Sequence, residues 1–179
     1  MLLLLGVVLI AVLRRDDVSD WMVDDTRFDA EIRRAAGQYD LDPALVRAVV
    51  FQESRFDPFA RGSKGEVGLM QVLPRGAVAD WARVKRRKVP GTAELTDPVL
   101  NLEIGCWFLA RAIRRWSGYR HGVELALAQY NAGASRAERW KPPERNGSVI
   151  DRITIGSTRR YVSRIMTRYR KYLEEESGR

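Results

Sequence analysis

Cysteine and histidine are almost absent: the chain has one of each, Cys106 and His121. A single cysteine excludes an internal disulfide, and a single imidazole excludes any site that needs two, so zinc-protease spacings and Cys-rich metal knuckles are ruled out. A Ser-His-Asp arrangement would rest on His121 alone, which stands beside Gly122 in "SGYRHGVE" and reads as a turn residue. Internal repeats and low-complexity tracts are also missing. Strand-like alternation never exceeds a few residues, and "GSVIDRITIG" is the one plausible extended piece. The expected fold class is therefore mainly α, with no metal or cofactor implied.

Acidic charge is in deficit. The 179 residues carry a net charge of +8, which favours a polyanionic partner such as nucleic acid, anionic lipid or an acidic cell-wall polymer without choosing among them. Hydrophobic residues make up 45% of the chain, enough for one ordinary folded domain.

Only one long hydrophobic run occurs, "MLLLLGVVLIAVL", thirteen uncharged residues followed at once by Arg14 and Arg15. As a helix it falls short of a hydrocarbon core of about 30 Å, and it lacks a basic leader and a clear small-residue cleavage site. Residues 1–15 are expected to form a membrane anchor or signal segment, 16–25 a linker, and 26–175 a single domain.

Within that domain the apolar residues recur at helical spacing. Phe28, Ile32, Ala35 and Tyr39 mark an opening helix. Asp42 and Pro43 form an N-cap and first-turn proline ahead of Leu45, Val46, Val49 and Val50. The same start recurs at Asp97 and Pro98, where Leu100, Ile104, Phe108 and Ala112 define the best candidate for a central buried helix. "GVELALAQYN" is a shorter helix closed by "NAG". A last helix from Ser157 or Thr158 carries Val162, Ile165, Met166, Tyr169 and Leu173 on one face. Arg83 to Gly91, "RVKRRKVPG", reads as a basic loop.

Glu53 is the anomaly. It follows Val49 by four residues and Val46 by seven, so on a continuous helix it shares their apolar face. Burial disfavours its charged form, and a place near the helix C-terminus adds an unfavourable interaction with the macrodipole; both raise its pKa. A carboxyl protonated near neutral pH can donate a proton. The alternative is a structural ion pair with Arg47, Arg55 or Arg61. Beyond it, "RGSKGEVG" is a glycine-rich turn that ends at Met70 and Gln71, where an amide could face a polar ligand.

Four motifs in order, "ESRFDP…GLMQVLP" (Glu53 to Pro74), "DPVLNLEIG" (Asp97 to Gly105), "ALAQYNAG" (Ala126 to Gly133) and "STRRYVSRI" (Ser157 to Ile165), make the chain resemble the soluble-type lytic transglycosylases, a glycoside-hydrolase family with the lysozyme-like fold. The resemblance implies a lysozyme-like single domain in which Glu53 is the sole catalytic acid and base. It implies that Gln71 and Tyr130 line the cleft, with the tyrosine hydroxyl near the glutamate, and that Met70 lies against the sugar path. Asn131 and Tyr161 fall in motifs that shape the same cleft. Two departures stand out. The family often has a serine where this chain has Gly62, which leaves any contact from Ser63 open. Its final motif commonly starts with a glutamate, where Ser157 stands here. Glu66 is an extra acid in the loop: an exposed residue, a replacement for that support, or a second carboxylate.

The expectation is thus a peptidoglycan lytic transglycosylase of the cell envelope, periplasmic and membrane-anchored or exported, acting on glycan strands as a monomer without a cofactor. The competing readings are a hydrolytic muramidase that uses Glu66 and a non-catalytic peptidoglycan-binding protein of the same fold. A nucleic-acid-binding protein, suggested by the charge, is set aside because an exported chain leaves cytoplasmic nucleic acid behind.

Overall fold

The computed structural model describes residues 23–178. The expected anchor and most of the expected linker lie outside the described residues. Among those described there are seven α-helices: α1 (Asp29–Gln38), α2 (Pro43–Ser54), α3 (Ala79–Lys85), α4 (Pro98–Trp116), α5 (Gly122–Ala132), α6 (Ala134–Trp140) and α7 (Gly156–Ser177). A single π-helical turn (Pro74–Val78) leads into α3, and 3-10 turns sit at Glu94–Thr96 and Ile150–Arg152. No described helix is long and apolar enough to cross a membrane.

Both Asp-Pro starts form as expected. Asp42 accepts from the backbone N–H of Ala44 at 2.9 Å and Asp97 from that of Leu100 at 2.8 Å, each satisfying a donor that the first helical turn leaves over. From Ala44 to Phe51 every residue of α2 is buried, because α1 and α7 both pack against it. α2 is therefore more enclosed than α4, the helix the sequence marked as central; Leu100 and Phe108 of α4 are only partly buried. α4 packs against α1 and α5, and α5 against α6 and α7, so one continuous core runs between the helices.

Three local expectations are corrected. "GSVIDRITIG" is not extended: Val149 and Ile153 are both buried around the 3-10 turn. Contacts from neighbouring elements hold the region in place of a strand ladder, with Arg152 Nε donating to Trp140 O at 3.2 Å and Arg159 Nε to Ile153 O at 3.0 Å. Arg83 to Lys85 belong to α3, and the exposed basic loop starts only at Arg86. Gly133, at φ 89°, ends α5 as expected, yet the chain turns there into α6, a seven-residue helix with too few apolar residues to announce itself.

Candidate active site

α2 stops where the site begins. Arg55 and Phe56 take left-handed conformations at φ 51° and 64°, which lets the chain leave the helix at Glu53–Ser54 and fold back. Ser54 Oγ lies 3.2 Å from Val50 O and 2.9 Å from Leu69 O, so its hydroxyl links the last turn of α2 to the Gly68–Gln71 segment. Val67 and Val72 pair across that segment by reciprocal hydrogen bonds of 3.1 and 3.0 Å.

α4 fixes the same segment from beneath. The buried side chain of Asn101 accepts from Met70 N at 2.9 Å and donates to Val67 O at 2.9 Å and Leu95 O at 2.7 Å. Gly68 is required at this crossing: its φ is +77°, and a Cβ there would stand 2.3 Å from Asn101 Nδ2. Met70 departs from its expected place against the sugar path. Its side chain is fully buried, with Sδ 3.9 Å from Cys106 Sγ, and a Cβ at Gly105 would stand only 2.3 Å from that sulfur. The "LEIG" glycine thus makes room for the "GLMQ" methionine, whose backbone N–H is taken by Asn101 and whose carbonyl is taken by Tyr130.

Glu53 meets α7 at this point. Tyr161 Oη donates to Glu53 Oε1 across 2.5 Å. The Glu53 carboxyl is raised from its usual value to about 7, chiefly by burial; the Tyr161 hydrogen bond opposes the rise and the negative charge of Glu66 adds to it. Burial, then the Glu53 charge, holds the Tyr161 and Tyr130 hydroxyls well above the ordinary phenol range, so both stay protonated donors. Tyr130 Oη donates to Met70 O at 2.8 Å rather than to Glu53, and its ring meets Phe108 edge-on at 5.5 Å. Arg47, one of the partners considered for Glu53, instead pairs with Asp25 at 2.7 Å.

Gln71 adopts a left-handed backbone, φ 45°, and its Nε2 donates to Gly68 O at 3.0 Å and Ala60 O at 3.2 Å. The amide is thereby held rigidly, with Oε1 turned toward Gly62. Glu66 is partly buried and its Oε2 accepts from Lys64 N at 2.8 Å, while Ser63 is exposed. Asn131 is exposed at the end of α5, where its Oδ1 accepts from the buried hydroxyl of Thr158 at 2.8 Å, tying α5 to α7. Glu53, Tyr161, Tyr130, Gln71 and Glu66 are therefore drawn to one region, with Asn131 as a brace and Ser63 at the rim. Asn101, which organises the loop from below, escaped the sequence reading. Its one signal was a polar residue on the apolar side of α4. Among the described residues no three His, Cys, Asp or Glu side chains converge on a metal position.

Residues 30–151 match the family model described as the Transglycosylase SLT domain. The chain belongs to that family. The membrane-bound lytic murein transglycosylase C of Actinobacillus succinogenes is 32% identical over 108 residues, covering 58% of this chain and 30% of that protein. The membrane-bound lytic murein transglycosylase F of Desulfosudis oleivorans is 30% identical over 171 residues, covering 80% of this chain and 36% of that protein. This SLT-domain chain thus spans about a third of the length of these curated relatives. Among solved structures, an inactive mutant of the lytic transglycosylase Slt from Pseudomonas aeruginosa superposes with a TM-score of 0.75 at 28% identity, over 85% of this chain and 25% of that one. The 70 kDa soluble lytic transglycosylase of Escherichia coli, TM-score 0.72 at 23% identity over 83% of this chain and 25% of that one, shares the fold. The lysozyme-like architecture expected from the four motifs is the one observed.

Proposed function

We propose that this SLT-domain protein is a peptidoglycan lytic transglycosylase that cleaves the β-1,4 bond between N-acetylmuramic acid and N-acetylglucosamine without consuming water, with Glu53 as acid and then base. The observation that carries the reading is the Glu53 carboxyl enclosed at the end of α2 and held by the Tyr161 hydroxyl at 2.5 Å, where burial raises its pKa to about 7. A carboxyl balanced there can both release and recover a proton at neutral pH. The family match and the lytic murein transglycosylase names of the relatives agree with it.

Protonated Glu53 gives its proton to the bridging oxygen as the bond to the muramic anomeric carbon breaks, with the substrate's acetamido group assisting at that carbon. The carboxylate left behind takes the proton of the muramic C6 hydroxyl as that oxygen closes on the anomeric carbon, producing a 1,6-anhydro end and restoring protonated Glu53. Two-carboxylate glycosidases need a second acid to activate water or to act as nucleophile; a tethered hydroxyl has so high an effective concentration that one carboxyl suffices. The Tyr161 hydroxyl suits both halves, since it accommodates the protonated acid and stabilises the anion between the steps. Gln71 and Tyr130 would hold the sugars beside Glu53, with Asn131 bracing and Ser63 and Glu66 at the cleft wall.

The +8 net charge suits strands whose peptide stems carry carboxylates. A cell-envelope location follows from the substrate and from the membrane-bound relatives, and the apolar run at residues 1–13 would serve as anchor or export signal. The test is mass spectrometry of purified peptidoglycan digested by the protein and by Glu53→Gln. Fragments one water lighter than hydrolysis products, missing from the variant, are expected; hydrated ends would indicate a muramidase, and tight binding without cleavage a wall-binding protein.

A further inference from the structure

The loop between Glu53 and Gln71 holds an exchange that family membership does not explain. A Cβ placed on Gly62 would stand 2.3 Å from Glu66 Oε2, 2.9 Å from Glu66 Cβ and 2.9 Å from Gln71 Oε1. The place a side chain at position 62 would occupy is therefore already filled, and what fills it is a carboxylate. The loop accepts a side chain at 62 or Glu66 in this pose, but not both. Glu66 is fixed there by the Lys64 N–H at 2.8 Å and by the pairing of its neighbour Val67 with Arg61 and Val72, so its charge is held rather than swung into solvent.

We propose that Glu66 is a positioning residue for the reaction: its carboxylate, seated over Gly62 beside the Gln71 amide oxygen, holds negative charge at the wall of the Glu53 site. The inference rests on the proposed role of Glu53 as the acid. Elements on several sides contribute groups to the surroundings of Glu53. α7 contributes the Tyr161 hydroxyl, which favours the anion; α5 contributes the protonated Tyr130 hydroxyl, with Cys106 of α4 behind it; the loop contributes Glu66, which opposes the anion. The cations nearest Glu66 in sequence, Arg61 and Lys64, are both exposed, so the carboxylate keeps its influence on the cleft. Glu66 adds to the rise that burial gives Glu53. A residue at position 62 without charge would leave only burial to hold the proton.

The experiment is the pH dependence of the initial cleavage rate on purified peptidoglycan at subsaturating substrate, for the full-length protein and for Glu66→Gln, Glu66→Asp, Gly62→Ser and the double variant Gly62→Ser with Glu66→Ala. Glu66→Gln is expected to move the alkaline limb to lower pH with little change on the acid side; half a pH unit lowers the rate about threefold above neutrality. Glu66→Asp keeps the charge and the wild-type limb. Gly62→Ser alone is expected to lower activity and thermal stability, and removal of Glu66 in the double variant to restore both while leaving the limb at lower pH. An equal loss at every pH in Glu66→Gln, or indifference of Gly62→Ser to the residue at 66, would overturn the inference. Hydrated product ends would count against the proposed function itself, and product mass is read independently of the pH profile.

Discussion

Tyr161 Oη and Glu53 Oε1 stand 2.5 Å apart, joining α7 to the end of α2 across 108 residues of sequence. The hydrogen bond favours the ionised carboxyl, while burial favours the protonated one, and the compromise near 7 is the property on which the proposed chemistry depends. Tyr161→Phe removes the stabilising donor and leaves burial unopposed. The Glu53 pKa then rises and the alkaline limb of the rate profile moves to higher pH. Because hydrogen bonds to charged groups contribute about 1.5–3 kcal/mol, the turnover rate is expected to fall about tenfold or more through the loss of support for the anion between the two steps. A pH–rate profile of the variant, with circular dichroism to establish folding, checks both parts.

The same carboxyl weakens the fold it serves. Its pKa is raised on folding from 4.5 to about 7, so the folded state holds a proton that the unfolded chain releases between those values. The stabilising contribution of the protonated group is complete below pH 4.5 and is lost as pH rises to about 7. At about 1.4 kcal/mol per unit, the loss reaches up to about 3 kcal/mol. Glu53→Gln cannot ionise, so it should unfold several degrees above the wild type at pH 8 and within about a degree of it at pH 4. Thermal melts at the two pH values check this; an equal difference at both would contradict it.

Much of this arrangement was legible in the sequence because it is written in short-range signals. Asp42-Pro43 and Asp97-Pro98 announce their helices, and the four-residue step from Val49 places Glu53 on the buried face of α2. The contacts of Met70, Tyr130 and Tyr161 were not legible. Whether a tyrosine hydroxyl reaches Glu53 or Met70 O depends on how α5 and α7 lie against α2, and helix periodicity sets the face of a residue but not its partner. Met70 belongs to the core only because Gly105, thirty-five positions on, leaves the space for its side chain.

That space gives a prediction of its own. Gly105→Ala forces a methyl against Met70 Sδ and should destabilise the protein by about 1–3 kcal/mol through overpacking. Met70→Ala should be destabilising by about 2–5 kcal/mol through the cavity it leaves. Together they should be less harmful than their sum, since each relieves the defect of the other. A double-mutant cycle by urea denaturation checks for a coupling of about 1 kcal/mol or more.

Asn101→Ala would strip three partners from the segment at once: the Met70 N–H and the Val67 and Leu95 carbonyls. Buried groups left unsatisfied cost about 1–3 kcal/mol each, and partial rehydration of the loop lowers the sum, so a loss of about 3 kcal/mol is expected. Hydrogen exchange should show the 67–72 segment opening before the helical core. If the segment stayed as protected as in the wild type, Asn101 would not be its anchor.

The proposal that Glu53 works alone, with the substrate's own hydroxyl in place of water, is tested most directly by digesting purified peptidoglycan in water enriched in oxygen-18. The expected products have anhydro ends that carry no label from solvent and are absent with Glu53→Gln. One labelled oxygen at the new reducing ends would contradict the mechanism, since it would mean that water had entered the reaction.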